Sequence, residues 1–179
     1  MIEQAEQLAA RAHDGQKRKN STDPYIVHPQ RVSEILSAGG GSEVLICAGL
    51  LHDVVEDTEV TIEDIRKQFG DRVAELVTAH TENKSLPWQQ RKQHTIHVVR
   101  EGSMEIKSLI VADKLDNLRS IHTDQQRLGE KVWDTFNAGY SQQKWYYQSV
   151  AAAMYDGLSQ QDAPSFFQEY AELVKQTFD

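Results

Sequence analysis

The stretch 44–55 constrains this chain more than any other. Val44, Leu45, Ile46, Cys47, Ala48, Leu50, Leu51, Val54 and Val55 leave almost no polar side on a helix drawn through it. A helix that is apolar nearly all round must be enclosed by other elements. It is far shorter than the roughly 20 residues a membrane-spanning helix needs. Ser42 supplies an N-cap, so the helix is expected over about 43–57. Gly39, Gly40 and Gly41 stop the helix before it.

The rest of the chain provides the enclosing helices. Ile2, Ala5, Leu8, Ala9 and Ala12 recur at helical spacing over 2–13. The segment 14–27, DGQKRKNSTDPYIV, is polar and rich in turn formers, and reads as a loop. A helix restarts near Pro29, which a first turn tolerates, and runs through Val32 and Ile35 to Leu36. Thr61 and Asp64 form a capping-box pattern that opens a short helix to Phe69. Gly70 ends it, and Asp71 caps another through Val77. Further helices are expected at 88–100, 103–121, 128–157 and 163–177. SLIVAD at 108–113 is short enough for a buried strand, but its context is helical. No segment alternates apolar with polar residues. The expected class is all-α, a compact multi-helix bundle forming one domain over 1–179.

Charge and cysteine usage exclude several roles. A net charge of −8 makes a poor general binder of nucleic acid, whose affinity comes from neutralising phosphates. It still permits a small anionic ligand held by a few local cations. Cys47 is the single cysteine, so no intramolecular disulfide forms. MIEQAEQLAARAH has no basic-then-apolar signal pattern, and a cytoplasmic protein without membrane contact is expected. Oligomeric state is not legible.

Three segments carry the chemistry. In LLHDVVED at 50–57 the apolar helix abruptly presents His52, Asp53, Glu56 and Asp57. Residues three and four apart on a helix are neighbours, so these groups would form one polar patch. Buried charges are costly unless they are paired or bound to metal. In SLIVADKLDNLRSI at 108–121, apolar residues lead to Asp113, with Asn117 one turn further on the same face. In PYIVHP at 24–29, His28 stands between an apolar pair and a helix-starting proline. Together His28, His52, Asp53 and Asp113 form a nitrogen–oxygen set suited to Mn²⁺, Fe²⁺, Zn²⁺ or Mg²⁺. Such an ion activates water and polarises a phosphoryl oxygen. Glu56 and Asp57 are placed to position that water and move its proton.

An upstream His, an adjacent His–Asp pair and a downstream Asp resemble the HD phosphohydrolase superfamily. More narrowly, PYIVHP, LLHDVVEDT and ADKLDNLR resemble the hydrolase domain of the Rel/Spo alarmone enzymes. The length, with no room for a synthetase domain, is similar to the stand-alone small alarmone hydrolases, including the metazoan Spo-like ones. The resemblance runs from about residue 5 to at least 121. It implies the helical HD fold, a manganese cofactor, and removal of the 3′-pyrophosphate from guanosine tetra- or pentaphosphate, the stringent-response alarmones. It places His28, His52, Asp53 and Asp113 on the metal ligands and Glu56 and Asp57 on the water-activating acids. It further places Asn117 beside the nucleotide and Arg18 and Lys19 on the nucleoside pocket. Lys84 and Arg91 fall on phosphate-holding positions, where cations beside a polar loop also suit a doubly pyrophosphorylated ligand. Tyr146 falls on a substrate-contacting tyrosine, with Trp145 and Tyr147 aligning almost as well.

Some residues depart from that pattern. The family's acidic pair before the lysine is here Glu82 and Asn83; His80 and Trp88 are unusual; Asp116 adds a carboxylate beside Asn117. None is expected to touch the metal set, but they leave the nucleotide open. The readings are a guanosine alarmone, another nucleotide such as an adenosine alarmone or NADPH, or a non-catalytic nucleotide sensor. A sensor would be expected to lack Glu56 or a ligand, and this chain has them all.

Overall fold

A computed structural model describes residues 1–179 and contains helices and turns, with one isolated bridge between Lys17 and Pro24. In chain order the helices are α1 Ile2–Ala12, α2 Val27–Ala38, α3 Glu43–Leu51, α4 Val54–Asp57, α5 Ile62–Phe69 and α6 Asp71–His80. Then follow α7 Trp88–Glu101, α8 Met104–Leu128, a 3₁₀ segment Gly129–Thr135, α9 Tyr140–Ala153 and α10 Ser165–Phe178. No helix is long and apolar enough to cross a membrane.

The apolar helix α3 lies at the centre, packed by α1, α2, α6 and α8. Leu45, Cys47, Ala48, Leu50 and Leu51 are all buried along it. Fully burying a Leu- or Val-sized side chain contributes roughly 1.5–3 kcal/mol. The Ser42 hydroxyl accepts from the Leu45 amide, satisfying one otherwise unpaired donor at the start of α3. Helix α8 is the second buried rod. It runs from a Ser103 cap past Leu109, Ile110, Val111, Ala112, Leu115 and Leu118, so SLIVAD is helical. Helices α7 and α10 close its other side, and α9 packs on both of them.

Two expectations need correction. The helix expected over 43–57 is two helices, broken at His52 and Asp53. His52 turns its Nδ1 back to donate to the Gly49 carbonyl at 2.7 Å, and Asp53 sits at φ −99°, ψ −10°. Apolar periodicity alone gives no sign of this break. The helix expected over 128–157 begins only at Tyr140, because Gly129 takes φ +60° and a 3₁₀ turn follows. Helix α8 instead continues to Leu128 through a polar stretch.

Candidate active site

Four side chains meet where α2, the α3–α4 break and α8 converge. His28 comes from the first turn of α2, His52 and Asp53 from the break, and Asp113 from the middle of α8. His28 Nε2 lies 3.2 Å from His52 Nε2 and 3.2 Å from Asp113 Oδ1. His52 Nε2 lies 3.8 Å from Asp113 Oδ1 and 3.0 Å from Asp53 Oδ2. Asp53 Oδ2 is 3.6 Å from His28 Nε2. Ligand atoms bound at about 2.0–2.2 Å to one ion stand about 3–3.5 Å from each other.

The chemistry of this set fits a cation. Both imidazoles spend their Nδ1–H elsewhere, His28 on Asp116 Oδ2 at 2.7 Å and His52 on the Gly49 carbonyl. These partners fix the tautomers. With Nδ1–H committed, each ring turns its Nε2 inward, toward carboxylate oxygens of Asp53 and Asp113. Acceptors converging in a buried place repel unless positive charge lies between them. The titration directions express the same demand. Burial alone would lower His52, but Asp53 and Asp113 push it up to about 9. Burial would raise both carboxyls; His52 instead holds Asp53 low, and Lys114, His28 and His80 hold Asp113 low.

Each ligand is braced from outside. The Tyr25 hydroxyl donates to Asp53 Oδ2 at 2.6 Å. Asn117 Nδ2 donates to Asp113 Oδ1 at 2.6 Å, while His80 Nε2 and Lys114 Nζ each lie 2.7 Å from Asp113 Oδ2. Such partners orient ligands and tune their basicity.

The cluster opens into a chamber of about 190 Å³ whose wall includes Glu56, Asp57, Glu82, Arg91, Lys92 and Lys114. The Glu56 carboxylate accepts from the Glu82 amide at 3.1 Å. Burial raises its pKa above the usual range, and Asp53 and Glu82 add to that. Glu82 is held low, against burial, by Lys114, Lys92 and Arg91. Arg91 Nε is buried without a protein partner.

A second pocket of about 250 Å³ shares Lys92, Lys114 and Asn117 with the chamber. Trp88, Phe136, Tyr146 and Tyr147 give it aromatic walls, with Arg18 and Lys19 at its side. Arg18 donates to Asn117 Oδ1 at 3.0 Å, and Lys19 Nζ lies 4.4 Å from the Phe136 ring centre. Burial pushes the Tyr146 hydroxyl up to about 12, and it too lacks a hydrogen-bond partner.

Residues 5–138, well over half of the chain, match the family described as HD domain. The chain belongs to the HD-domain family. It is 43% identical to the Drosophila melanogaster guanosine-3′,5′-bis(diphosphate) 3′-pyrophosphohydrolase MESH1 over 66% of this chain and 68% of that protein. The crystal structure of lmo0812 from Listeria monocytogenes superposes with a TM-score of 0.83 at 51% identity, covering 89% of this chain and all of that one. A metazoan ortholog of SpoT that hydrolyses ppGpp superposes with a TM-score of 0.80 at 30% identity, over 99% of this chain and 96% of that one.

Within this HD domain the residues singled out from sequence divide by location. The ligand atoms of His28, His52 and Asp113 all lie within 4.8 Å of one another, Asp53 adjoins both histidines, and Glu56, Asp57 and Arg91 line the chamber beside them. Lys84 pairs with Asp57 and lies 3.8 Å from Glu56, so it covers the acids from the solvent side. Arg18, Lys19 and Tyr146 line the aromatic pocket, and Asn117 lines both spaces. Tyr147 lines the pocket as well, whereas Trp145 lines a separate hollow with Ile96 and His97. Asp116, expected near the nucleotide, does not line the aromatic pocket; it is buried behind His28. Sequence reasoning missed Tyr25, Glu82, Lys92 and Lys114 as parts of the site. Lys114 adjoins Asp113 in ADKLDN and Tyr25 is three residues from His28, so proximity to a ligand was the available signal.

Proposed function

We propose that this protein is a metal-dependent hydrolase that removes the 3′-pyrophosphate from guanosine 3′,5′-bis(diphosphate) and its pentaphosphate, giving GDP or GTP and pyrophosphate. The observation that carries the reading is the His/Asp cluster beside a cation-lined chamber, which shares Lys92, Lys114 and Asn117 with an aromatic pocket. The activities named for the MESH1 and SpoT-ortholog relatives support the same substrate.

His28, His52, Asp53 and Asp113 would hold the ion, which we take to be Mn²⁺. A divalent cation there acidifies water and polarises a phosphoryl oxygen. Glu56 accepts the proton of the attacking water, a role that a carboxyl with a raised pKa suits. Asp57, anchored by Lys84, orients that water. Arg91, Lys92 and Lys84 bind the phosphates, and Lys114 fixes Asp113. Tyr146 and Tyr147 flank the nucleoside, with Arg18, Lys19 and Asn117 on its polar side. Water adds to the phosphorus bonded to the ribose 3′ oxygen, that P–O bond breaks, and the 3′ oxygen leaves with a proton. We place the protein in the cytoplasm, and expect no nucleic-acid partner for a chain of net charge −8.

The test incubates Mn²⁺-loaded protein separately with the guanosine alarmone, the adenosine alarmone and NADPH, and separates the products by ion exchange. Pyrophosphate with GDP from the guanosine alarmone is expected. Orthophosphate as main product, or turnover of NADPH or the adenosine alarmone alone, overturns the substrate. No turnover with nucleotide still bound would make the protein a sensor.

A further inference from the structure

Asp113 is held more tightly than the other carboxylate of the cluster. Its Oδ1 faces His28 Nε2 at 3.2 Å and His52 Nε2 at 3.8 Å. Its Oδ2 points away and meets two donors, His80 Nε2 and Lys114 Nζ, each at 2.7 Å. A carboxylate oxygen has two lone-pair sites, so Oδ2 is saturated. The two donors differ. Lys114 is the next residue on α8 and offers a point charge on a flexible stem. His80 reaches across from the last residue of α6, and its ring lies edge-on to His52 with 4.7 Å between centres. Its geometry is therefore set by packing.

We infer that His80 is a positioning residue of the metal centre: its Nε2–H pins Asp113 Oδ2, so that Asp113 offers the ion Oδ1 alone. One-oxygen binding leaves coordination positions free for water and a substrate oxygen. The other ring nitrogen supports this assignment. Buried polar atoms are nearly always paired, yet His80 Nδ1 is buried without any partner, in the wall of the chamber. A histidine kept only for packing would gain by satisfying both nitrogens; this one makes only the bond to Asp113. The inference rests on the metal reading above.

The test compares His80→Leu with His80→Gln, whose amide Nε2 reaches nearly as far as the imidazole Nε2. Mn²⁺ binding is titrated by the paramagnetic resonance of the free ion, alongside kcat, KM and the Tm of the metal-free proteins. Orienting partners of metal ligands typically account for about 10–100-fold in metal affinity. His80→Leu is expected to weaken Mn²⁺ binding about 10-fold or more and to lower kcat with KM little changed. His80→Gln is expected to restore most of both. If the Leu variant does not fold, His80→Asn takes its place, since its amide stops short of Asp113. Wild-type Mn²⁺ affinity in the Leu or Asn variant overturns the inference, and so does a Gln variant as weak as they are. A merely structural role would lower Tm and leave the affinity unmoved. Absence of Mn²⁺ binding by the wild type overturns the metal centre itself.

Discussion

His28 Nδ1 and Asp116 Oδ2 stand 2.7 Å apart, both buried, and tie the start of α2 to the middle of α8. The bond fixes the proton on Nδ1 and so turns the Nε2 lone pair toward the other ligands. Asp116→Ala should weaken Mn²⁺ binding by about 10–100-fold, with Asp116→Asn, which keeps a neutral acceptor, falling between it and the wild type. Calorimetric titration of the three proteins would check this. Equal affinities would mean that packing alone orients His28.

Glu56→Gln should lower kcat by about 10²–10⁴-fold while Mn²⁺ stays bound, because it removes a proton acceptor without touching a ligand. The Gln side chain keeps the shape and still accepts from the Glu82 amide, so Tm should change little. Near-normal turnover would remove Glu56 from the proton transfer.

Gly49 lets α2 and α3 approach closely. A Cβ placed there would stand 2.7 Å from Leu36 Cδ1, in a fully packed region. Its carbonyl also accepts from His52 Nδ1. Gly49→Ala should therefore cost about 1–3 kcal/mol and move His28 relative to His52. Thermal denaturation and Mn²⁺ titration should both register the change. A stable variant with wild-type metal affinity would show that the Leu36 side chain yields and the ligand spacing is kept.

The sequence disclosed the fold class and the site's main groups for a physical reason. The all-apolar 44–55 segment forces an enclosing bundle, and charged groups interrupting buried helices at His52, Asp53 and Asp113 need a partner. Caps at Ser42 and Thr61 are local, and both stand in the structure with their bonds made. What stayed hidden was long-range or conformational. The break at His52 depends on a ring bonding back to Gly49, which periodicity does not encode. The bond from His80 to Asp113 spans 33 residues, and the one from His28 to Asp116 spans 88. One sequence read by itself does not pair such residues; only the packing of α6 and α2 on α8 does.

Lys84 couples substrate binding to the acids. It pairs with Asp57, lies 3.8 Å from Glu56, and is half exposed. The Glu56 carboxyl titrates above its usual 4.5 because burial, with the Asp53 and Glu82 carboxylates, outweighs the Glu82 amide bond that favours the anion. A base acts only when ionised, so kcat at saturating Mn²⁺ should fall as pH drops through a value above 4.5. Removing a nearby cation raises a carboxyl pKa further. Lys84→Met should thus move the acid limb of kcat to higher pH. It should also raise KM, more strongly at low ionic strength, where charge pairs are least screened. The two readouts separate two roles. A raised KM with an unmoved acid limb would leave Lys84 as a phosphate contact alone. A moved limb with unchanged KM would make it a tuner of Glu56 that the substrate does not touch. If neither changes, the pairing with the acids is incidental and the phosphates are carried by Arg91 and Lys92.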